Sequence, residues 1–280
     1  MNKKLLTIIF FISVFIFTAI NNDGSVEGVS ENSLVVYFLD IGQGDATLIR
    51  TPDGNDILID GGPNNALIQK LGEYLPFYDR KIETIILTHP DADHVTGLVE
   101  VLRRYSVDQI LITGVESDSI VYQTFLSEAD NIKIITEPQK IELGEDVYFD
   151  IFFPITSFEN KEVENTNNTS ISGKLIYAST SVMFTGDLEI EEELLESDLS
   201  LVSNIYKVGH HGASNANDKE FVLAVDPDYA VISSGVDNRF GHPHYRTLKN
   251  LEKTGAEIFR TDQMGDIIFI SDGNQITYID

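Results

Sequence analysis

Thr88-His89-Pro90-Asp91-Ala92-Asp93-His94 is the stretch on which the reading of this chain turns. Two histidines and two aspartates fall within His89–His94. Imidazole nitrogens and carboxylate oxygens are the donors that borderline divalent metals take. Along extended chain His89 and Asp91 point to one side together. Asp93 and His94 are adjacent at the turn into a helix and serve a second point a few ångströms away. That spacing suits two metal ions roughly 3.5–4 Å apart, bridged by a hydroxide. A polar helix start capped by Asp93 would explain one aspartate. It would leave both histidines without a reason.

The surroundings support a strand–loop–helix unit. Residues 83–88 (ETIILT) read as a buried strand. Residues 94–105 repeat Val95, Leu98, Val101, Leu102 and Tyr105 on one face at helical spacing. Upstream, residues 34–40 and 46–51 are branched and apolar, and Pro52-Asp53-Gly54-Asn55 turns a hairpin into residues 56–60. A helix is expected over 65–75. Downstream, strands are expected over 109–113, 133–136, 147–153, 171–178, 181–185, 204–208, 229–233, 257–260, 266–270 and 275–279. Helices are expected over 189–196, 218–225 and 244–253, and a polar Asn-rich loop over 158–169. Many strands with hairpins and several helices suit an αββα sandwich, two mixed β-sheets with helices on the outer faces. On pattern alone a doubly wound α/β sheet is nearly as good.

Composition narrows the function. The chain has 280 residues, with 19 basic and 45 acidic, so its formal net charge is −26. Such a field attracts divalent cations and repels polyanions. The only neighbouring basic pairs are Lys3-Lys4, Arg80-Lys81 and Arg103-Arg104, which argues against a dedicated nucleic-acid-binding module. The absence of cysteine excludes disulfides, thiolate metal sites and a cysteine nucleophile.

The N-terminus differs from the rest. Met1 to Lys4 is short and basic, and residues 5–20 are uncharged and strongly apolar. This is the pattern of a signal peptide or N-terminal membrane anchor over 1–20. Phe17 and Ile20 spoil a small-x-small cleavage site around Ala19, which favours a retained anchor. Residues 21–33 read as a polar linker, and 34–280 as one folded domain. The domain is therefore expected outside the cytoplasm, secreted or tethered to the membrane.

Later segments add donors. Asp187 ends an apolar strand, where a carboxylate either bridges two metals or caps a helix. His210-His211 lies between a strand and a polar loop. His242, before Pro243, is placed to protonate a leaving group or polarise an anionic oxygen. His244 reads as a helix-start residue. Asp40 and Asp45 flank glycines that let backbone pass close by.

Taken together, His-x-Asp-x-Asp-His, Phe38-Leu39-Asp40-Ile41-Gly42-Gln43-Gly44-Asp45-Ala46, Leu58-Ile59-Asp60-Gly61-Gly62, Phe184-Thr185-Gly186-Asp187, Val208-Gly209-His210-His211-Gly212, Gly241-His242-Pro243 and Arg260-Thr261-Asp262 resemble the metallo-β-lactamase superfamily. Within it they resemble the hydrolase domain of ComEC-type DNA-uptake proteins, from about Leu34 to the C-terminus. The multi-helix membrane channel of those proteins has no counterpart here. The resemblance decides for the αββα sandwich. It implies two divalent ions, zinc or manganese, held by His89, Asp91, Asp93, His94, Asp187 and His210, with Asp187 as bridge. His210 is preferred to His211 as the ligand, Asp60 orients ligands from behind, and Asp93 and His242 are the catalytic candidates.

There are departures from the family pattern. Asp91 stands where a histidine is usual, and no histidine lies between His94 and His210; Asn168 and Ser170 occupy that region. Fewer nitrogens at the first position favour manganese over zinc. Thr96 stands where glycine is common and Ala213 where serine often follows. The expected activity is hydrolysis of a phosphodiester, with single-stranded DNA a candidate substrate. Competing readings are a phosphorylcholine-type esterase, a carboxyl-ester or amide hydrolase, and a metal-binding scaffold without turnover.

Overall fold

The computed structural model describes residues 33–196 and 199–279. The expected leader over 1–20, and the linker up to residue 32, lie outside the described residues. Among the described residues no helix is long and apolar enough to cross a membrane.

The chain opens with an antiparallel meander: β1 (Leu34–Phe38), β2 (Thr47–Arg50) and β3 (Asp56–Ile59). After α1 (Ala66–Tyr74), β4 (Lys81–Ile86) joins β3 in parallel. Two further crossovers, through α2 (Ala92–Arg104) and α3 (Ile120–Glu128), add β5 (Ser106–Ile112) and β6 (Ile132–Ile134) in parallel. The second sheet repeats the plan. A meander of β7 (Gln139–Gly144), β8 (Val147–Phe153), β9 (Ser172–Tyr177) and β10 (Thr180–Phe184) comes first. The short α4 (Glu192–Leu195) then precedes β11 (Ile205–Lys207), and α5 (Lys219–Val225) leads to β12 (Tyr229–Ile232). Through α6 (Tyr245–Leu251) the chain reaches β13 (Glu257–Arg260), and β11, β12 and β13 run parallel. After α7 (Thr261–Met264), β14 (Ile267–Ser271) and β15 (Ile276–Ile279) return to the first sheet, where β14 pairs antiparallel with β1. The sheet orders are β15-β14-β1-β2-β3-β4-β5-β6 and β13-β12-β11-β10-β9-β8-β7.

Side-chain alternation explains the layering. On β1, Val36 and Phe38 face inward, where they meet Phe149, Leu175, Phe184, Val231, Phe259 and Phe269. Val35 and Tyr37 face outward, with Leu58 and Ile85, under Leu67, Leu71, Val95, Leu98 and Phe125 of the helices. The second sheet is covered likewise by Phe221, Val222, Val225 and Leu251. Both faces of each sheet are buried, so the strands read as continuous apolar runs. The architecture is the expected αββα sandwich.

Some elements depart from the sequence reading. Pattern reading left out α3, β7 and α7. The acidic helix expected over 189–196 contracts to Glu192–Leu195. Its first positions are held elsewhere: Glu189 N donates to Asn168 Oδ1 at 3.0 Å. The N-cap of α2 is Asp91, which makes no side-chain capping bond. Asp93 lies inside the first turn, so capping is not its role.

Candidate metal centre

The centre lies where β3, β4, β10 and β11 end and the chain leaves both sheets. After β4 the chain passes through Thr88 and His89 into α2, and both His89 and His94 are buried. Asp60 follows β3 in a left-handed conformation, φ 60°. Its carboxylate accepts from Thr88 N at 2.8 Å and from Thr88 Oγ1 at 2.8 Å. It also lies 2.8 Å from His94 Nδ1.

These contacts fix which nitrogen each imidazole presents. The single Thr88 hydroxyl proton goes to Asp60, so Thr88 Oγ1 accepts from His89 Nδ1 across 3.0 Å. His94 Nδ1 faces the Asp60 carboxylate. His211 Nδ1 faces two acceptors, Ser233 O at 3.2 Å and Asp45 Oδ1 at 3.1 Å. All three Nδ1 atoms thus donate, which leaves the Nε2 lone pairs for another ligand. Those three Nε2 atoms are buried without a hydrogen-bond partner, as is Asp187 Oδ1. Asp187 Oδ2 lies 3.4 Å from His94 Nε2 and 3.5 Å from His211 Nε2. Asp93 Oδ2 is 3.4 Å from His211 Nε2. Orphaned donor atoms converging in a buried space are what a metal would satisfy. The residues present suit a divalent cation.

Two compact donor sets result: His89, His94 and Asp187, and Asp93, His94 and His211, each within 4.8 Å. Two other groupings involve Asp45 and Asp60. Those carboxylates are already engaged, Asp60 by Thr88 and Asp45 by Lys207 Nζ at 2.6 Å. They brace the histidines from behind. Asp91 sits at the margin, with Oδ2 4.0 Å from His89 Nε2 and Oδ1 accepting from Thr166 Oγ1 at 2.6 Å.

The preference for His210 over His211 meets a different geometry. His211 is the member of the compact sets, and His210 belongs to neither. His210 Nε2 is 3.7 Å from Asp187 and its Nδ1 is 3.6 Å from Glu189. The cause lies in the backbone: Gly209–Gly212 is a tight turn with His210 at φ 49° and His211 at φ 53°. Two successive left-handed residues swing the His211 ring inward and the His210 ring toward the rim. Such residues cost roughly 1–2 kcal/mol each. Asn217 braces the turn, accepting from Gly209 N at 3.0 Å and donating to Gly209 O at 2.9 Å.

Electrostatics follow the same layout. Burial pushes the His211 imidazolium down, but Asp187, Asp45 and Asp93 outweigh it and lift the pKa to about 10. Burial likewise opposes charge on His94, and Asp187 and Asp60 raise it well above the ordinary value. Asp93, despite burial, falls to about 2 beside His211 and His94. Without metal, protons on His94 and His211 offset the carboxylates. A metal would take their place and release them.

His242 is half-buried, with its ring centroid 5.9 Å from His210 and 6.3 Å from His211. Burial, then the charges of His211 and His210, lower its pKa to about 4. It is therefore a neutral imidazole at neutral pH. His244 is the N-cap of α6. All six histidines of the chain form one linked series, with neighbouring rings 4.1 to 6.2 Å apart.

Pattern reading missed Lys207 and Glu191 as supporting residues, and named Ser170 without giving it a role. Lys207 is 3 % exposed and pairs with Asp45, which in turn faces His211. The available signal was a lysine inside the apolar strand before Val208. Ser170 Oγ accepts from Asp187 N at 3.1 Å and lies 3.4 Å from His89 Nδ1. Glu191 accepts from Asn217 N at 2.7 Å and Asp218 N at 2.8 Å, and so holds the brace itself.

The family model of the metallo-beta-lactamase superfamily matches residues 39–236. The chain belongs to that superfamily and has its metal-dependent-hydrolase fold. Among characterised relatives it is similar to ComE operon protein 3 of Bacillus subtilis, 28% identical over 277 residues, which covers 91% of this chain and 34% of the relative. It is also similar to competence protein ComA of Neisseria gonorrhoeae, 27% identical over 247 residues, covering 87% and 33%. The chain thus spans about a third of the length of these relatives. Among solved structures, the metallo-beta-lactamase fold protein YhfI from Bacillus subtilis superposes with a TM-score of 0.54 at 14% identity, covering 85% of this chain and 100% of that one. A diphosphatase of the PhnP family gives 0.50 at 15% identity, covering 85% and 97%. At such identities the likeness concerns the fold.

Proposed function

We propose that the chain is a metal-dependent phosphodiesterase with two divalent ions. His89 and Asp91 would hold one ion, and Asp93, His94 and His211 the other, with Asp187 between them. The observation that carries this reading is the set of unpartnered Nε2 atoms on His89, His94 and His211, converging with Asp187 Oδ1. When bound there, divalent ions supply positive charge for a phosphate and lower the pKa of water. The protein's own part is positional. Asp60, Asp45, Thr88 and Lys207 lock the imidazoles in one tautomer and one orientation. His242 stands beside the site as a neutral imidazole, placed to hydrogen-bond an oxygen of the scissile group and polarise it. Asp91 in place of a nitrogen donor, with Ser170 rather than histidine near His89, favours manganese over zinc.

Net charge guides substrate size. Long polyanions bind through many Lys/Arg contacts, and this chain carries 19 basic against 45 acidic residues. A single strand or a small phosphodiester presents one phosphate to a recessed centre without needing that footprint. The test is purified protein loaded with zinc or with manganese, assayed against single-stranded DNA, duplex DNA, RNA and glycerophosphocholine, with bound metal measured in parallel. Metal near two per chain and chelator-sensitive cleavage of single strands is the expected result. Full metal occupancy with no phosphodiester cleaved would move the activity to ester or amide bonds.

A further inference from the structure

The loop between β12 and α6 exposes an aromatic ring at the mouth of the centre. Phe240 is 48% exposed. Its ring stacks on His242, with centroids 5.5 Å apart and planes at 22°. The exposed Arg239 guanidinium lies 4.8 Å from the Phe240 centroid. A cleft of about 480 Å³ opens here, lined by Gln43, Pro63, Asp93, Asn238, Arg239 and Phe240. It therefore adjoins the metal donors directly through Asp93. The loop is pinned rather than loose. Asn238 accepts from His242 N at 2.9 Å and donates to His242 O at 2.7 Å and to Gly235 O at 3.0 Å. Gly235 N in turn donates to Gln43 Oε1 at 3.1 Å.

Phe240 thus sits between His242 and Arg239 on a hydrogen-bonded loop and still presents part of its ring to the cleft. The exposed guanidinium plane that the ring carries, together with the part of the ring left open to the cleft, is a surface on which a planar base stacks. The cleft volume is ordinary for a ligand of nucleotide size. We propose that Arg239 and Phe240 form a subsite for the nucleobase beside the scissile phosphate. This rests on the phosphodiesterase reading and names its substrate class as nucleotide diesters. A quaternary ammonium would also seek an aromatic face, but the Arg239 cation over the same ring repels it and pairs with phosphate instead.

The chain has no tryptophan, so Phe240→Trp places a single indole reporter in the subsite. The metal-loaded variant is titrated with adenosine 5′-monophosphate, ribose 5-phosphate and phosphocholine, following indole emission. Adenosine 5′-monophosphate should change the emission saturably, and ribose 5-phosphate should not at the same concentrations. By calorimetry, Phe240→Ala should weaken adenosine 5′-monophosphate roughly five- to a hundredfold, and by a larger factor than ribose 5-phosphate. Equal responses to the two phosphates, or none to either, would overturn the subsite. A tighter response to phosphocholine would overturn it in favour of an ammonium site. Turnover is read separately. Dinucleotide hydrolysis without base-dependent emission keeps the phosphodiesterase and removes the subsite. Base-dependent emission without any hydrolysis keeps the subsite and removes the enzyme.

Discussion

At the scale of single residues, the centre is a set of imidazoles whose useful nitrogen is chosen by the group behind it. His211 shows this best: Asp45 and Ser233 take its Nδ1, so Nε2 faces Asp93 and Asp187. His210, with its Nδ1 toward Glu189, lacks that backing. His211→Ala is therefore expected to lose at least one ion per chain, while His210→Ala keeps both; elemental analysis of the purified variants decides. Asp187→Ala should lose at least one ion and most activity, because its carboxylate is the one that approaches both His94 and His211. Two ions retained by that variant would remove Asp187 from the bridging place.

At the scale of elements, the position of α2 sets the candidate metal donors, and a close backbone contact sets α2. A Cβ on Gly97 would stand 2.0 Å from Gly61 O. Gly97→Ala must push α2 off the loop that carries Asp60, at a cost of roughly 1–3 kcal/mol. A lowered denaturant midpoint together with weakened metal binding is expected; an unchanged midpoint would mean that the helix has room to shift. The turn carrying His210 and His211 depends in the same way on Glu191 ahead of α4. Burial raises the Glu191 carboxyl from 4.5 to about 7, against the pull of the Asp218 and Asn217 amides. An acid whose pKa rises on folding adds stability that is fully present below its unfolded pKa. That stability is lost as pH climbs through the folded pKa. The window is therefore pH 4.5 to about 7, and the amount is on the order of 3 kcal/mol. Wild type should lose unfolding free energy relative to Glu191→Gln as pH rises across that window. A difference that stays flat with pH would show that Glu191 does not titrate there.

At the scale of the whole molecule, a net charge of −26 surrounds a cation-seeking centre. Cleavage of a single strand should fall less between low and physiological salt than that of a basic nuclease, since few phosphates are neutralised by side chains. A salt slope corresponding to six or more phosphate contacts, or tight metal-independent duplex binding, would contradict this. The apolar run at residues 5–20 behind Lys3-Lys4 has the pattern of an export signal, and we propose that the domain following it lies beyond the cytoplasmic membrane. A reporter that works only outside the cytoplasm, fused after Ser33, should be active; activity of a cytoplasm-only reporter at the same point would reverse the orientation.

Local spacing determined much of this protein. His89 to His94 lie within one short strand–loop–helix, so their convergence needs no long-range contact and is legible in the chain itself. The same holds for the strands, which read as continuous apolar runs because both faces of each sheet are buried. Tertiary structure alone decided the rest. His210 and His211 are neighbours with the same chemistry, and only the left-handed turn braced by Asn217 separates their directions. The Lys207–Asp45 pair joins residues 162 positions apart. Phe240 meets His242 and the cleft only because the β12–α6 loop is pinned to Gln43 from the first sheet's side. Such contacts form when two sheets pack face to face. Their physical cause is the burial of apolar surface, which carries no record in the residues it brings together.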